Sequence, residues 1–144
     1  MPKGIPVDVL HRFRRVPLFE SVSHKGLRAI VSAATEVDVP AGKMLVREGD
    51  HGRELYVVLR GAAEVFKGGR KLSELTPGDF FGEMALLHPG PRSATVTART
   101  DMRVMVLDAR SLEVILDKER SLARRLLEAM AKRVRSTERG SISH

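Results

Sequence analysis

The hydrophobic pattern changes its period twice along the chain, and this change constrains the fold more than any other feature. Between residues 35 and 108, short apolar runs alternate with turn sequences such as Gly68-Gly69 and Pro77-Gly78-Asp79. Runs of this length and spacing are typical of β-strands, and the Gly-Gly pair between two of them predicts a hairpin. Many short strands joined by tight turns favour a β-roll or a jelly roll over a parallel sheet.

The regions on both sides of these strands have a helical period. Residues 7–33 carry apolar side chains at helical spacing. Pro17 ends the first helix, and Ser23 is placed to cap a second. After the strands, Asp108 or Ser111 can cap a third helix, and a longer helix with an apolar stripe follows.

The predicted fold class is therefore mainly β with flanking helices: N-terminal helices, a β-roll or double-stranded jelly roll, and a C-terminal helix pair. A chain of 144 residues fits one domain of this kind. We expect an N-terminal helical segment at 1–34, the β-roll at 35–108, hinge or lid helices at 109–136 and a flexible tail at 137–144.

Charge and composition limit the possible function classes. Lys and Arg outnumber Asp and Glu by 25 to 18, and the net charge of +7 favours nucleic acid, acidic lipid or a phosphate-bearing small molecule as partner. The scarcity of aromatic residues (4%) argues against stacking on single-stranded nucleic acid. Without cysteine the chain forms no disulfide and no Cys-based metal site. It has no apolar run long enough for a signal peptide or a membrane span, so we expect a soluble, cytoplasmic protein.

The segment 77–96 breaks the strand pattern and carries the candidate site. Residues 82–87 favour a helix of about two turns, which the Pro-Gly-Pro sequence after it must end. A helix N-terminus exposes backbone N–H groups that suit an anion, and Gly82 allows a close approach. Arg92 adds a planar, charged fork for phosphate oxygens. Glu83 fits as an acceptor for a sugar hydroxyl, so this set predicts a sugar-phosphate ligand.

This segment resembles the phosphate-binding cassette of the cyclic-nucleotide-binding domain family. The family's pattern is Phe-Gly-Glu, two or three apolar residues, a variable loop, then Arg, a small residue, Ala, any residue and an apolar residue. The matching residues here are Phe81-Gly82-Glu83, Met84 to Leu87, and Arg92-Ser93-Ala94-Thr95-Val96. The similarity covers almost the whole chain: Pro17-Leu18-Phe19 resembles the family's lead-in, and Pro77-Gly78-Asp79 its approach to the cassette.

The resemblance implies a β-roll that binds a cyclic nucleotide. Glu83 would bind the ribose 2′-hydroxyl and Arg92 the cyclic phosphate. Ser93 stands where the family commonly has Thr with cGMP or Ala with cAMP; we predict cAMP, with cGMP as the alternative. The predicted ligand-binding residues are Phe81, Gly82, Glu83, Met84, Ala85, Arg92, Ser93 and Ala94. Met130 and Val134, on the last helix, are candidates to cover the base.

Several interpretations remain open from the sequence alone. The last helix fits packing on the roll, closure over the base, or a dimer seam as in the catabolite activators that this fold resembles. The main alternative function is a basic DNA-binding module like a transcription regulator, although few residues follow the long helix. A ligand-free interaction module of the same fold is another alternative.

The pattern of histidines argues against metal catalysis. A cupin metalloenzyme needs a close His-x-His pair, whereas these histidines are far apart in sequence: His11, His24, His51, His88 and His144. No Ser-His-Asp, Cys-His or P-loop arrangement is present. We therefore expect a sensor that is not an enzyme and has no metal or cofactor. Its expected partners are the cyclic nucleotide and an effector domain or a second copy, with nucleic acid disfavoured.

Overall fold

The structure, a computed structural model, describes residues 4–84 and 90–138, and for residues 133–138 the backbone alone. Within these ranges the helices are α1 (Val7–Arg14), a 3-10 helix (Pro17–Phe19), α2 (His24–Ala33), α3 (Ala109–Leu116) and α4 (Arg120–Glu138). The strands are β1 (Thr35–Val39), β2 (Met44–Val46), β3 (Glu54–Arg60), β4 (Ala63–Lys67), β5 (Arg70–Leu75), β6 (Phe80–Phe81), β7 (Thr95–Ala98) and β8 (Met102–Asp108).

The described strands form two antiparallel sheets, which confirm the predicted β-roll with flanking helices. The first sheet has the order β1-β8-β3-β6 and the second β2-β7-β4-β5. The predicted hairpin joins β4 to β5, where Lys67 pairs with Arg70 and both Gly68 and Gly69 have positive φ. A two-residue turn of this kind matches the twist of the strands, and glycine adopts it without strain.

Polar side chains fix where two of the helices begin. Ser23 Oγ accepts a hydrogen bond from Gly26 N at 2.9 Å, which makes Ser23 the cap of α2 as predicted. Of the two possible caps for α3, Asp108 takes the role, because its Oδ1 accepts from Ser111 N at 2.7 Å. This bond, together with one from the Ser111 hydroxyl, lowers the pKa of the Asp108 carboxyl.

Two hydrophobic clusters lie on opposite faces of the first sheet. Alternate residues of β8 point to opposite sides, so Val104 faces the interior of the roll and Met105 faces the helices. We call the cluster on the helical side the outer cluster; it includes Phe13, Phe19, Leu27, Ile30, Leu107, Leu112 and Leu122. The cluster inside the roll, the inner cluster, includes Val39, Val58, Ala63, Val65, Phe81, Val96 and Ala98.

Polar contacts tie the C-terminal helices to the N-terminal segment. Glu119 accepts hydrogen bonds from Ser23 N at 2.9 Å and from Ser23 Oγ at 2.7 Å. A Cβ on Gly26 would lie 2.6 Å from Glu119 Oε2, so only glycine leaves room for this carboxylate. Arg125 donates from Nη2 to Glu20 Oε1 at 2.8 Å. These contacts hold the N-terminal and C-terminal helical segments together on the outer side of the first sheet.

Two predicted segments, the short helix after β6 and the C-terminal tail, lie partly outside the described residues. The short helix expected at 82–87 falls mostly in the gap at 85–89, outside the described residues. Helix α4 continues to Glu138, and the remaining residues of the expected tail, 139–144, lie outside the described range. None of the described helices is both long and apolar enough to cross a membrane.

Candidate functional site

Arg92 lies within the cassette segment, three residues before β7 begins at Thr95. Its side chain is only 7% exposed. Its backbone bonds to the turn before β3, with Arg92 N donating to Asp50 O at 2.7 Å and Gly49 N donating to Arg92 O at 2.9 Å. An isolated bridge between His51 and Pro91 extends this pairing. Arg92 lies in the loop that joins β6 of the first sheet to β7 of the second. These backbone hydrogen bonds hold it in place there.

The guanidinium of Arg92 contacts the start of β3. Nη1 donates to the backbone oxygen of Glu54 at 3.3 Å, and Nη2 donates to Glu54 Oε1 at 3.2 Å. The guanidinium carbon also lies 5.9 Å from the ring centroid of Tyr56, within reach of a cation–π interaction. Burial raises the pKa of the Tyr56 phenol and Glu54 raises it further, while Arg92 acts in the opposite direction.

The aromatic ring that faces Arg92 is itself packed against a second ring. Tyr56 and Phe81 are direct partners across β3 and β6, and their rings stack with centroids 4.7 Å apart and planes 1° from parallel. Phe81 is buried in the inner cluster. The ring that faces Arg92 is therefore anchored to the strand that leads directly into the cassette.

Two glycine backbones flank the guanidinium. Gly82 has φ of 93°, in the region that favours glycine, and a Cβ there would lie 2.8 Å from Arg92 Nη1 and would also collide with the Glu54 carbonyl oxygen. A Cβ on Gly52 would lie 2.5 Å from Arg92 Nη2. Side chains at these two positions would displace the arginine. The predicted neighbours Gly82 and Arg92 are thus in contact.

The other predicted residues have different environments. Glu83 is fully buried, directly after Gly82. A carboxylate is rarely buried to this extent, because its removal from water is costly. Ala94 belongs to the inner cluster, whereas Ser93 is exposed and Met84 is 44% exposed. Ala85 lies outside the described residues.

The candidate lid residues lie on α4. Met130 is buried in the outer cluster, on the helical side of the first sheet, and the side chain of Val134 lies outside the described part of the chain. In this conformation α4 packs within the helical layer that covers the outer side of the first sheet of the roll. Closure over a base and a dimer seam remain predictions.

A cleft adjoins Arg92. It has a volume of about 320 Å³, at the lower end of the range for small-molecule sites. Its walls are β2, the turn at residues 47–52, and the side chains of Glu54, Tyr56 and Arg92. Among the described residues, no group of three or more His, Asp or Glu side chains could hold a metal ion.

Sequence reasoning missed Glu54, Tyr56 and Gly52 as neighbours of Arg92. Glu54 and Tyr56 stand at alternate positions of a predicted strand, so their common face was readable from the sequence. Their contact with Arg92 was not, since 38 residues separate Glu54 from Arg92 and only the register of the sheets brings them together.

Solved structures of known proteins share this fold. Thermus thermophilus catabolite activator protein superposes with a TM-score of 0.77 at 31% identity, over 85% of this chain and 60% of that one. The N-terminal domain of a transcriptional regulator from Streptomyces coelicolor is 34% identical with a TM-score of 0.68, over 90% of this chain and 94% of that one. A cAMP-bound PfPKA-R chain, 24% identical with a TM-score of 0.79, covers 94% of this chain and 47% of its own length and shows likeness of fold.

Curated sequences point in the same direction. A CRP-like cAMP-activated global transcriptional regulator of Mycobacterium tuberculosis is 29% identical over 128 residues, 85% of this chain and 57% of that protein. A cAMP-dependent protein kinase regulatory subunit of Schizosaccharomyces pombe is 38% identical over 94 residues, 65% of this chain and 23% of that protein. This chain thus spans little more than half of the first relative and about a quarter of the second.

The model of the cyclic nucleotide-binding domain matches residues 36–119, more than half of the chain. The chain therefore belongs to the cyclic nucleotide-binding domain family, as its cassette motif predicted.

Proposed function

We propose that this domain binds cAMP next to Arg92 and passes the binding event to a regulatory partner as a conformational change. The observation that carries the proposal is the buried guanidinium of Arg92, set against the backbone of Gly82 at the start of the cassette. A permanently charged, planar group held in this way suits a phosphate, which it can meet with two parallel hydrogen bonds.

The chemistry of the neighbouring groups supports a cyclic nucleotide in particular. A cyclic phosphodiester carries one negative charge, which one guanidinium can neutralise. The buried carboxylate of Glu83 would accept a hydrogen bond from the ribose 2′-hydroxyl, which would offset part of the cost of burying it. Gly82 would allow the sugar-phosphate to approach the backbone closely. Phosphate and ribose would then be recognised by adjacent residues of one short segment.

Relatives that are named for cAMP favour cAMP over cGMP as the ligand. They include the cAMP-activated regulator of M. tuberculosis and the cAMP-dependent kinase regulatory subunit of S. pombe. A cGMP-dependent protein kinase of Toxoplasma gondii, 42% identical over 83 residues, 58% of this chain and 8% of that protein, keeps cGMP as the alternative. Ser93 is exposed beside Arg92, where a hydroxyl is available to the ligand.

The output would be regulatory rather than catalytic. Helices α3 and α4 are bonded through Glu119 and Arg125 to the segment around the 3-10 helix, so a displacement of one would be transmitted to the other. We propose that this helical layer contacts an effector domain or a second copy of the chain. The absence of cysteine suits the cytoplasm, which is the compartment we propose.

Calorimetry with cAMP and cGMP tests this proposal. We expect saturable binding of cAMP, weaker binding of cGMP, and a loss of about 10- to 100-fold in cAMP affinity for Arg92→Ala, because a charge-assisted contact is removed. Glu83→Gln should also weaken binding. Arg99→Ala is the matched control, since Arg99 is an exposed arginine that pairs with Glu74 at 3.5 Å. Unchanged cAMP affinity in a folded Arg92→Ala variant would contradict the assignment.

A DNA-binding module is the second candidate. The net charge of +7 and the transcriptional regulators among the relatives favour it. Binding of this kind weakens steeply with salt, so a gel shift across a range of salt concentrations tests it. Sequence-specific retention at physiological salt would support it, and its absence would leave the nucleotide sensor as the function.

A further inference from the structure

We propose that Glu54 sets the charge selectivity of the site, favouring phosphates with one negative charge over phosphates with two. This inference rests on the proposed function, because it assumes that the ligand's phosphate binds at Arg92. The family cassette does not include Glu54, which lies on β3, well before the cassette in sequence. Its contact with Arg92 is a feature of the folded chain.

Glu54 and Arg92 form a closely bonded pair. Glu54 holds Arg92 by two of its atoms, the backbone oxygen at 3.3 Å from Nη1 and carboxylate Oε1 at 3.2 Å from Nη2. The arginine side chain is 7% exposed and the glutamate side chain 42%. The carboxylate is thus the more exposed partner of a buried cation, and a phosphate bound to this guanidinium would lie close to it.

The cleft next to this pair carries further charges. Besides Glu54 and Arg92, its walls carry Arg47 and Asp50, one charge of each sign, together with His51 and Tyr56. The local sum of the four charged groups is close to zero. Every phosphate charge therefore adds net negative charge to a cleft that is otherwise neutral, and a phosphate with two charges at Arg92 is repelled by the Glu54 carboxylate about twice as strongly as a phosphate with one.

The candidate ligands differ in the charge of their phosphate. cAMP is a phosphodiester with one negative charge at neutral pH. 5′-AMP is a monoester whose second ionisation has a pKa of about 6, so it carries close to two charges at pH 8. Repulsion between unit charges a few ångströms apart in a half-exposed site corresponds to about a three- to tenfold change in affinity. Glu54 should penalise 5′-AMP by roughly that factor more than cAMP.

The test compares dissociation constants for cAMP and 5′-AMP at pH 8, from displacement of a fluorescent cAMP analogue. For Glu54→Gln, which keeps the shape and removes the charge, we expect the 5′-AMP to cAMP ratio to fall about three- to tenfold. Glu54→Ser removes the charge with a different shape and should change the ratio in the same direction. Glu113→Gln is the control, because Glu113 is exposed and pairs only loosely with Arg53, at 3.7 Å.

Each outcome decides the matter. If 5′-AMP at up to millimolar concentration does not displace the fluorescent analogue from the wild-type chain, we expect it to displace the analogue from the Glu54 variants. An unchanged ratio, or no displacement in any variant, overturns the inference while cAMP binding by the wild-type chain still stands. A wild-type chain that binds no cAMP defeats the proposed function itself. Circular dichroism of each variant establishes that it is folded.

Discussion

The outer and inner hydrophobic clusters differ in the size of their side chains more than in their burial. Among the described residues, eight of the eleven buried members of the inner cluster are Val or Ala. The outer cluster contains no alanine among its buried, described members and includes Phe13 and Phe19. Larger buried side chains remove more apolar surface from water, so the helical layer contributes more stability per residue. The small residues of the roll suit closely paired strands, whose shape defines the site.

The two clusters also differ in how their neighbouring arginines are partnered. Arg125, on the helical side, is bonded to the Pro17 carbonyl, the Glu20 carboxylate and the Ser21 hydroxyl, all from the chain itself. The side chain of Arg92, on the roll side, is more deeply buried, but among the described residues its guanidinium donates hydrogen bonds to Glu54 alone. This difference indicates a cohesive role for the helical side and agrees with the proposal that the roll side binds a ligand.

The largest expected effect is in the outer cluster. Phe19→Ala should lower the free energy of unfolding by about 3–5 kcal/mol, because the ring is fully buried and its removal leaves a cavity. Urea unfolding followed by circular dichroism measures this loss. Phe19→Leu is the control and should cost less, since it retains most of the apolar volume. A loss below about 1 kcal/mol for Phe19→Ala would end the distinction between the clusters.

Val65→Ala probes the inner cluster in the same assay. Val65 is fully buried on β4. Its truncation removes two methylene equivalents, so we expect a loss of about 1.5–2.5 kcal/mol, including a small cavity. A loss equal to that of Phe19→Ala would show that both clusters contribute alike, contrary to the comparison drawn from side-chain size.

Arg125→Ala addresses the polar ties on the helical side. The side chain is 32% exposed, and its ion pair with Glu20 is partly screened by solvent. We therefore expect a loss of about 0.5–1 kcal/mol in the free energy of unfolding. Arg99→Ala should cost less, because Arg99 is the more exposed arginine and its ion pair is longer, 3.5 Å against 2.8 Å. A more stable Arg125→Ala protein would contradict a cohesive role for this contact.

The smallest expected effect is the pH dependence of the cap on α3. Hydrogen bonds from Ser111 lower the pKa of Asp108 in the folded chain, so this carboxyl stabilises the fold above its unfolded pKa of 3.8. That contribution is lost as the pH falls through the lower, folded value. Asp108→Asn should melt at a lower temperature than the wild type at pH 7, and the gap should narrow at pH 3. A gap that widens in acid would contradict the sign of this shift.

Much of the fold follows from relations between residues close in sequence. Ser23 and Asp108 each cap a helix by bonding to a residue three positions ahead, and the Gly-Gly turn joins strands that directly adjoin it. These interactions depend on a few backbone angles, which residue type largely sets. The cassette motif, confirmed as that of the family, is also a local pattern.

The tertiary structure alone decided what surrounds the site. Glu54, Tyr56 and Gly52 meet Arg92 because strands distant in sequence pair in one register, and a shift of one residue would turn Glu54 and Tyr56 to the opposite face. The side of the sheet on which Met130 packs is decided in the same way, by the docking of α4. The sequence by itself determined most of the elements, the cap of α2 and the cassette residues. Contacts between elements required the whole chain, since each depends on packing that no short segment specifies.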